Sequence, residues 1–207
     1  MRSAQFSPDD IDWENAFEQF HPALAAPATT SADPRVTFGV QDMLDIWQFI
    51  QRWAPAAVSV FTSAVFMDSL RYKFTNAPQT QEIFGRLEAW GTSLGAPGLF
   101  ARTGLFSQYV IGAAELAASL LLLAGLFLTP FRFLQPLGAL IGLAVMTGAI
   151  GFHLFTPLGV DPNNDGGGLF RAAVGVWIGC VVLLIMRRDE LVVLVHKAAA
   201  FLAPVAG

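Results

Sequence analysis

Hydrophobic residues along the chain gather into four long runs, at about 55–71, 107–128, 133–155 and 169–186, each bounded by arginine, lysine or proline. Crossing the hydrocarbon takes about 20 mostly apolar residues at 1.5 Å rise each, so the runs predict four membrane spans. The second run ends at Thr129-Pro130, with Arg132 just beyond. A turn that short makes the third span antiparallel to the second. The pattern predicts an all-α membrane protein, an antiparallel four-transmembrane-helix bundle occupying residues 41–188.

Shorter amphipathic segments flank the runs. Trp13, Phe17 and Phe20 recur at helical spacing among Asp10, Asp12, Glu14 and Glu18, which predicts an acidic helix over 8–20 inside a polar tail, 1–40, and a docking surface for protein. Met43, Leu44, Trp47 and Ile50 form one face of an interfacial lead-in helix over 41–52, and Pro55 stands where the first span begins. After that span, Asn76 can cap a helix with Pro78 in its first turn, an apolar face of Ile83, Phe84, Leu87 and Trp90, and a Glu82–Arg86 pair; it is expected to lie on the membrane surface. Residues 189–207 form an amphipathic tail. Gly138/Gly142 and Gly175/Gly179 have the small-xxx-small spacing that lets membrane helices approach closely.

Composition sharpens this reading. Of 207 residues 54% are hydrophobic and 14% charged, too few to coat a soluble domain of this size. The net charge of -4 and the lack of a basic cluster interleaved with aromatics argue against nucleic acid as a partner. One cysteine, Cys180, leaves no disulfide framework. Met1 to Asp12 has one arginine, three aspartates and no apolar run, so it does not read as a signal peptide, and the first span is expected to direct insertion. With both termini inside, Arg2, Arg35, Arg52, Arg132, Arg187, Arg188 and Lys197 face the cytoplasm against Arg71, Lys73, Arg86 and Arg102 outside, which favours that orientation. Arg71 and Lys73, on the disfavoured side, are expected to be held there by partners.

Candidate chemistry follows from topology. In an alternating bundle the end of span one, the start of span two, the end of span three and the start of span four share one membrane face. They bring Asp68, Arg71, Lys73, Glu115, His153 and Arg171 together, at the outer-leaflet end in the favoured orientation. Glu115 is the sharpest signal: eight residues past Ser107, it sits about 12 Å along its helix, where a carboxylate must be neutral or paired. Two readings stand, a functional pocket and a polar knot that only fixes helix register. Arg71, Lys73 and Arg171 can equally snorkel to headgroups, and His153 can reach interfacial water. Asp161, Asn163, Asp165 and Gly166 open like a calcium loop, but position 12 is Ala172, so a turn-forming loop is expected and no metal. A lone histidine within the spans argues against haem.

The run FMDSLRYKF at 66–74, GAAEL at 112–116, AGLFLTPFR beyond it and AIGFH in the third span resemble the DoxX-like membrane proteins, over roughly 55–187. The resemblance implies a four-helix bundle of the bacterial inner membrane, and for some members an association with quinone-linked sulfur oxidation or oxidoreductase complexes. It does not account for the N-terminal 40 residues. The expectation is a membrane subunit of a larger assembly, partnered by lipids and other protein subunits, with no covalent cofactor and with a quinone as the cofactor class left open. A quinone head would lie near Glu115 and His153, with Arg71 or Lys73 stabilising a reduced, anionic ring. The alternatives are a small-solute or proton transporter, whose relay would stop midway because no charged group occupies the other half of the bundle, and a scaffold without activity.

Overall fold

The computed structural model describes residues 34–202, and among them every regular element is helical. The elements are α1 Pro34–Phe74, α2 Pro78–Ser93, α3 Gln108–Phe127, a 3-10 turn Thr129–Phe131, α4 Leu134–Phe155, α5 Gly168–Met186 and α6 Arg188–Leu202. α1, α3, α4 and α5 are long and apolar enough to cross a membrane, so the all-α membrane bundle that hydropathy predicts is the architecture found. The helix expected over 8–20 lies outside the described residues. The chain divides into two units at Trp47. In the first, the described part is the opening of α1, with Met43, Leu44, Ile46 and Trp47 exposed. The second holds the bundle.

One expected boundary is absent. Instead of a lead-in helix followed by a span starting at Pro55, α1 runs unbroken through Pro55. A proline keeps helical φ and removes a single N–H, so it deprives only the carbonyl one turn earlier, that of Gln51. Residues 55–74 alone cover about 30 Å, the hydrocarbon thickness. Gln51 is exposed, so its freed carbonyl is not left in the protein interior. The other end of α1 closes with Asn76 in the left-handed region, φ 56°, and the Ala77 N–H donating to the Tyr72 carbonyl at 3.0 Å. That is the Schellman pattern. It corrects the expected role of Asn76, which terminates α1 rather than capping α2; α2 begins at Pro78, which has no N–H to cap, and the Asn76 side chain is left to bond elsewhere.

In lipid, helices gain little from hydrophobicity against one another and associate by close packing. α3 packs extensively on α4, and α4 on α5, and glycine makes the first of these interfaces. A Cβ on Gly125 would stand 2.6 Å from the Gln135 nitrogen, and one on Gly138 2.8 Å from the Ala118 carbonyl oxygen. Gly142 faces Phe66 of α1 and Cys180 of α5, while Gly175 and Gly179 receive Phe61 and Val58 of α1. Phe66, Leu122, Ala139, Met146, Val176, Cys180 and Leu183 fill the centre.

A second apolar cluster covers the bundle end at which α1 finishes and α3 starts. Leu87, Phe100 and Leu158 are buried there, with Ile83, Phe84, Trp90 and Phe152 against them. The apolar face of α2 thus packs on protein. Glu88 ties the following loop down, its carboxylate accepting from the Gly98 N–H at 2.6 Å and the Phe100 N–H at 2.9 Å. The Gly98 bond above all, then the Phe100 bond, outweigh burial and hold this carboxyl below the ordinary glutamate range. Gly104 lets the loop cross itself, because a Cβ there would collide with the Gly98 and Leu99 carbonyl oxygens.

Candidate functional site

Lys73 stands at the last turn of α1. Side chains on a helix tilt toward its N-terminus, so the Lys73 chain runs back into the bundle, where its ammonium meets Ser69 Oγ and both oxygens of Glu115, at 2.7 Å and 2.8 Å. The expectation that Glu115 finds a cation is met by Lys73. The two side chains are 3% and 13% exposed, Glu115 being the more enclosed. One turn deeper on α3, Ser119 Oγ donates to the Glu115 carbonyl at 2.9 Å.

Neutral polar groups lie at the start of α3, beside the last turn of α1. Gln108 Nε2 donates to the Lys73 carbonyl at 2.8 Å and to Asn76 Oδ1 at 2.7 Å, and its Oε1 accepts from Gln81 Nε2 at 2.8 Å. Tyr109 donates its hydroxyl proton to the same Asn76 oxygen at 2.8 Å and accepts from Arg102 at 3.1 Å. α1, α2 and α3 are therefore laced together where the ion pair meets the bundle end. Reasoning from charge missed Gln81, Asn76, Gln108 and Tyr109. Their signal was slight, uncharged polar residues at helix ends being common.

The other predicted residues do not join the pair. Asp68 and Arg71 bond to each other at 2.9 Å on the outside, with the Arg71 guanidinium 4.9 Å from the Tyr72 ring centre. An exposed pair of this kind contributes about 0–1 kcal/mol. His153 Nδ1 lies 2.6 Å from the Gly159 carbonyl oxygen. A carbonyl only accepts, so Nδ1 carries the proton and Nε2 is the free ring nitrogen. Phe170 meets the imidazole edge-on at 5.6 Å. Arg171 donates to the Gly166 carbonyl. Both side chains fasten the 156–167 loop, in which Asp161 Oδ1 accepts from the Asp165 N–H and the Asp165 carboxylate accepts from the amides of Gly167, Gly168 and Leu169. The calcium-like run is a turn that presents the start of α5.

Four further polar side chains, all unanticipated, are buried farther along α1 and at the start of α4: Ser59, Thr62, Ser63 and Gln135. Gln135 Nε2 donates to Ser59 Oγ at 3.1 Å. Ser63 Oγ and Gln135 Oε1 have no hydrogen-bond partner among the described residues, and the Thr62 hydroxyl lies against the Cys180 thiol.

These features define the class, a four-helix membrane bundle with a buried lysine–glutamate pair near one end. No family model matches the chain, and no curated protein or solved structure matches it.

Proposed function

We propose that this chain is a DoxX-like integral subunit of a bacterial inner-membrane assembly, with both termini cytoplasmic and the Lys73–Glu115 end in the outer leaflet. The observation that carries this reading is the meeting of the two stretches behind the resemblance: Lys73 from FMDSLRYKF reaches Glu115 from GAAEL. The orientation draws on the cations. Arg71, Lys73 and Arg86, which the positive-inside tendency disfavours outside, are each paired with a carboxylate. Purification of the full chain in mild detergent tests the reading: stoichiometric membrane or peripheral subunits that co-elute support it, and a chain that elutes alone, bound only to lipid, replaces it with a free-standing bundle.

A quinone-linked role is the second reading, favoured by the free Nε2 of His153 beside Phe170. With Nδ1 carrying the proton, Nε2 is an acceptor, and it can take a hydrogen bond from the hydroxyl of a reduced quinone. His153→Ala should abolish quinone binding, whereas Arg132→Ala, at the opposite end, should leave it intact. Equal behaviour of the two variants removes the quinone.

A further inference from the structure

Helix register orders the buried polar groups by depth. Ser59 touches Gln135, and Phe66 touches Gly142, the same offset of 76 residues, so α1 and α4 run parallel with levels matched. α3 runs against both: Gly112 faces Leu70, Lys73 and Phe74, and Gly138 faces Ala118 and Leu122. Going inward from the capped end, the first level therefore holds Lys73, Ser69 and Glu115. Ser119 falls at the level of Phe66, Ser63 and Thr62 occupy the next, and Ser59 with Gln135 the one after. Successive levels are about 5 Å apart, one helical turn. Pro55 is buried one turn beyond Ser59, and it leaves the Gln51 carbonyl without a helical donor at the exposed end of the series.

This series reverses an objection to transport. Charge does stop at Glu115, but polarity continues, and a hydroxyl passes a proton without carrying charge at rest, because it can accept one hydrogen bond while donating another. A path of this kind needs water between levels. The groups that would hold it are Ser63 Oγ and Gln135 Oε1, both buried and unpartnered among the described residues, with the buried Thr62 hydroxyl next to Ser63 in sequence and set against the weakly bonding Cys180 thiol. Ordered water is retained where a buried polar atom lacks a protein partner and further polar groups lie within reach to share it, which is what the neighbouring hydroxyl levels offer.

We propose that these residues form a hydrated proton path through the bundle, from the Lys73–Glu115 pair to the Gln51–Gln135 end. A proton arriving from the capped side binds a Glu115 oxygen and displaces the Lys73 contact. It then moves as successive O–H bonds form and break along water, Ser119, Ser63, Thr62 and Ser59, and leaves at Gln51 as hydronium, each hydroxyl regaining its own proton count. No oxidant or reductant is involved. The path goes beyond the subunit reading and does not depend on it.

The full chain is reconstituted in vesicles loaded with a pH-sensitive dye, and proton entry is driven by a potassium diffusion potential. The wild type should acidify vesicles at least tenfold faster than protein-free controls. Thr62→Val with Ser63→Ala replaces hydroxyls by groups of similar volume and should return the rate to the control level, with thermal stability kept. Gln135→Leu gives a second interruption if the first pair of substitutions unfolds the protein. Thr147→Val, which removes a hydroxyl bonded to Trp177 on the exposed side of α4, should conduct as the wild type does. Wild-type flux no greater than that of empty vesicles overturns the path, and so do folded seam variants that conduct at the wild-type rate.

Discussion

Removing either partner of the Lys73–Glu115 pair should destabilise the bundle, and unequally. Breaking a fully buried ion pair by deleting one side costs about 3–5 kcal/mol, because the charge that remains is left uncompensated. Lys73→Met leaves Glu115, 3% exposed and a full turn or more inside, with no cation to meet it, so it falls in that range. Glu115→Leu leaves the lysine, 13% exposed and within one residue of its helix end. That flexible chain can swing to water, which lowers the expected cost to about 1–2 kcal/mol, between the buried and exposed limits. In the double variant neither charge remains, and apolar replacement of a buried pair is often neutral. The double-mutant cycle should therefore give a coupling of about 4 kcal/mol or more, the sum of the two single costs, measured by reversible unfolding in detergent or bicelles. Additive single effects, or a cheaper lysine than glutamate substitution, would refute the reasoning.

Close packing gives a graded set of expectations. Gly125→Ala and Gly138→Ala force a Cβ against backbone atoms at 2.6 Å and 2.8 Å and should cost about 1–3 kcal/mol by overpacking; Gly148→Ala, with nothing within 4 Å of its Cβ, should be silent in the same melts. Glu88 should make the 94–107 loop acid-sensitive. Its folded-state carboxyl is depressed, so its contribution is complete above the unfolded-state value and is lost as pH falls through the lower, folded one. Amide exchange at Gly98 and Phe100, corrected for intrinsic rates, should rise across that acid window in the wild type, and Glu88→Gln should remove the pH dependence; a wild type as flat as the variant rejects this role.

What the sequence disclosed depended on how conspicuous each residue is against its surroundings. A carboxylate in an apolar run must be answered, so Glu115 and its cationic partner were readable, as were the four spans. The choice of Lys73 over Arg71 was not readable by charge. It follows from which face of α1 each residue occupies: Lys73 shares the buried face with Leu70 and Phe66, while Arg71 points outward with Asp68. His153 and Arg171 end on loop carbonyls whose positions depend on left-handed residues at Gly159, Gly166 and Gly167, a geometry that no spacing announces. Ser59, Thr62, Ser63 and Gln135 were passed over for another reason. Small hydroxyl residues in membrane helices can bond to their own helix's carbonyls, so their presence alone carries no message, and only burial without partners gives them one. Pro55 misled because a proline starts a helix as readily as it interrupts one.

The most direct test of the central claim, a four-span bundle whose Lys73–Glu115 end faces outward, is cysteine labelling with a membrane-impermeant maleimide. The native background is a single thiol, Cys180, buried within α5, and it should stay unlabelled in native membranes. Ser93→Cys and Asn163→Cys, which flank the capped end, should react in intact cells, whereas Phe131→Cys, in the turn between α3 and α4, should react only after permeabilisation. Labelling of Ser93→Cys and Asn163→Cys from opposite sides, or of Phe131→Cys from the same side as both, would contradict the bundle topology, and a uniform inversion of all three would contradict the orientation.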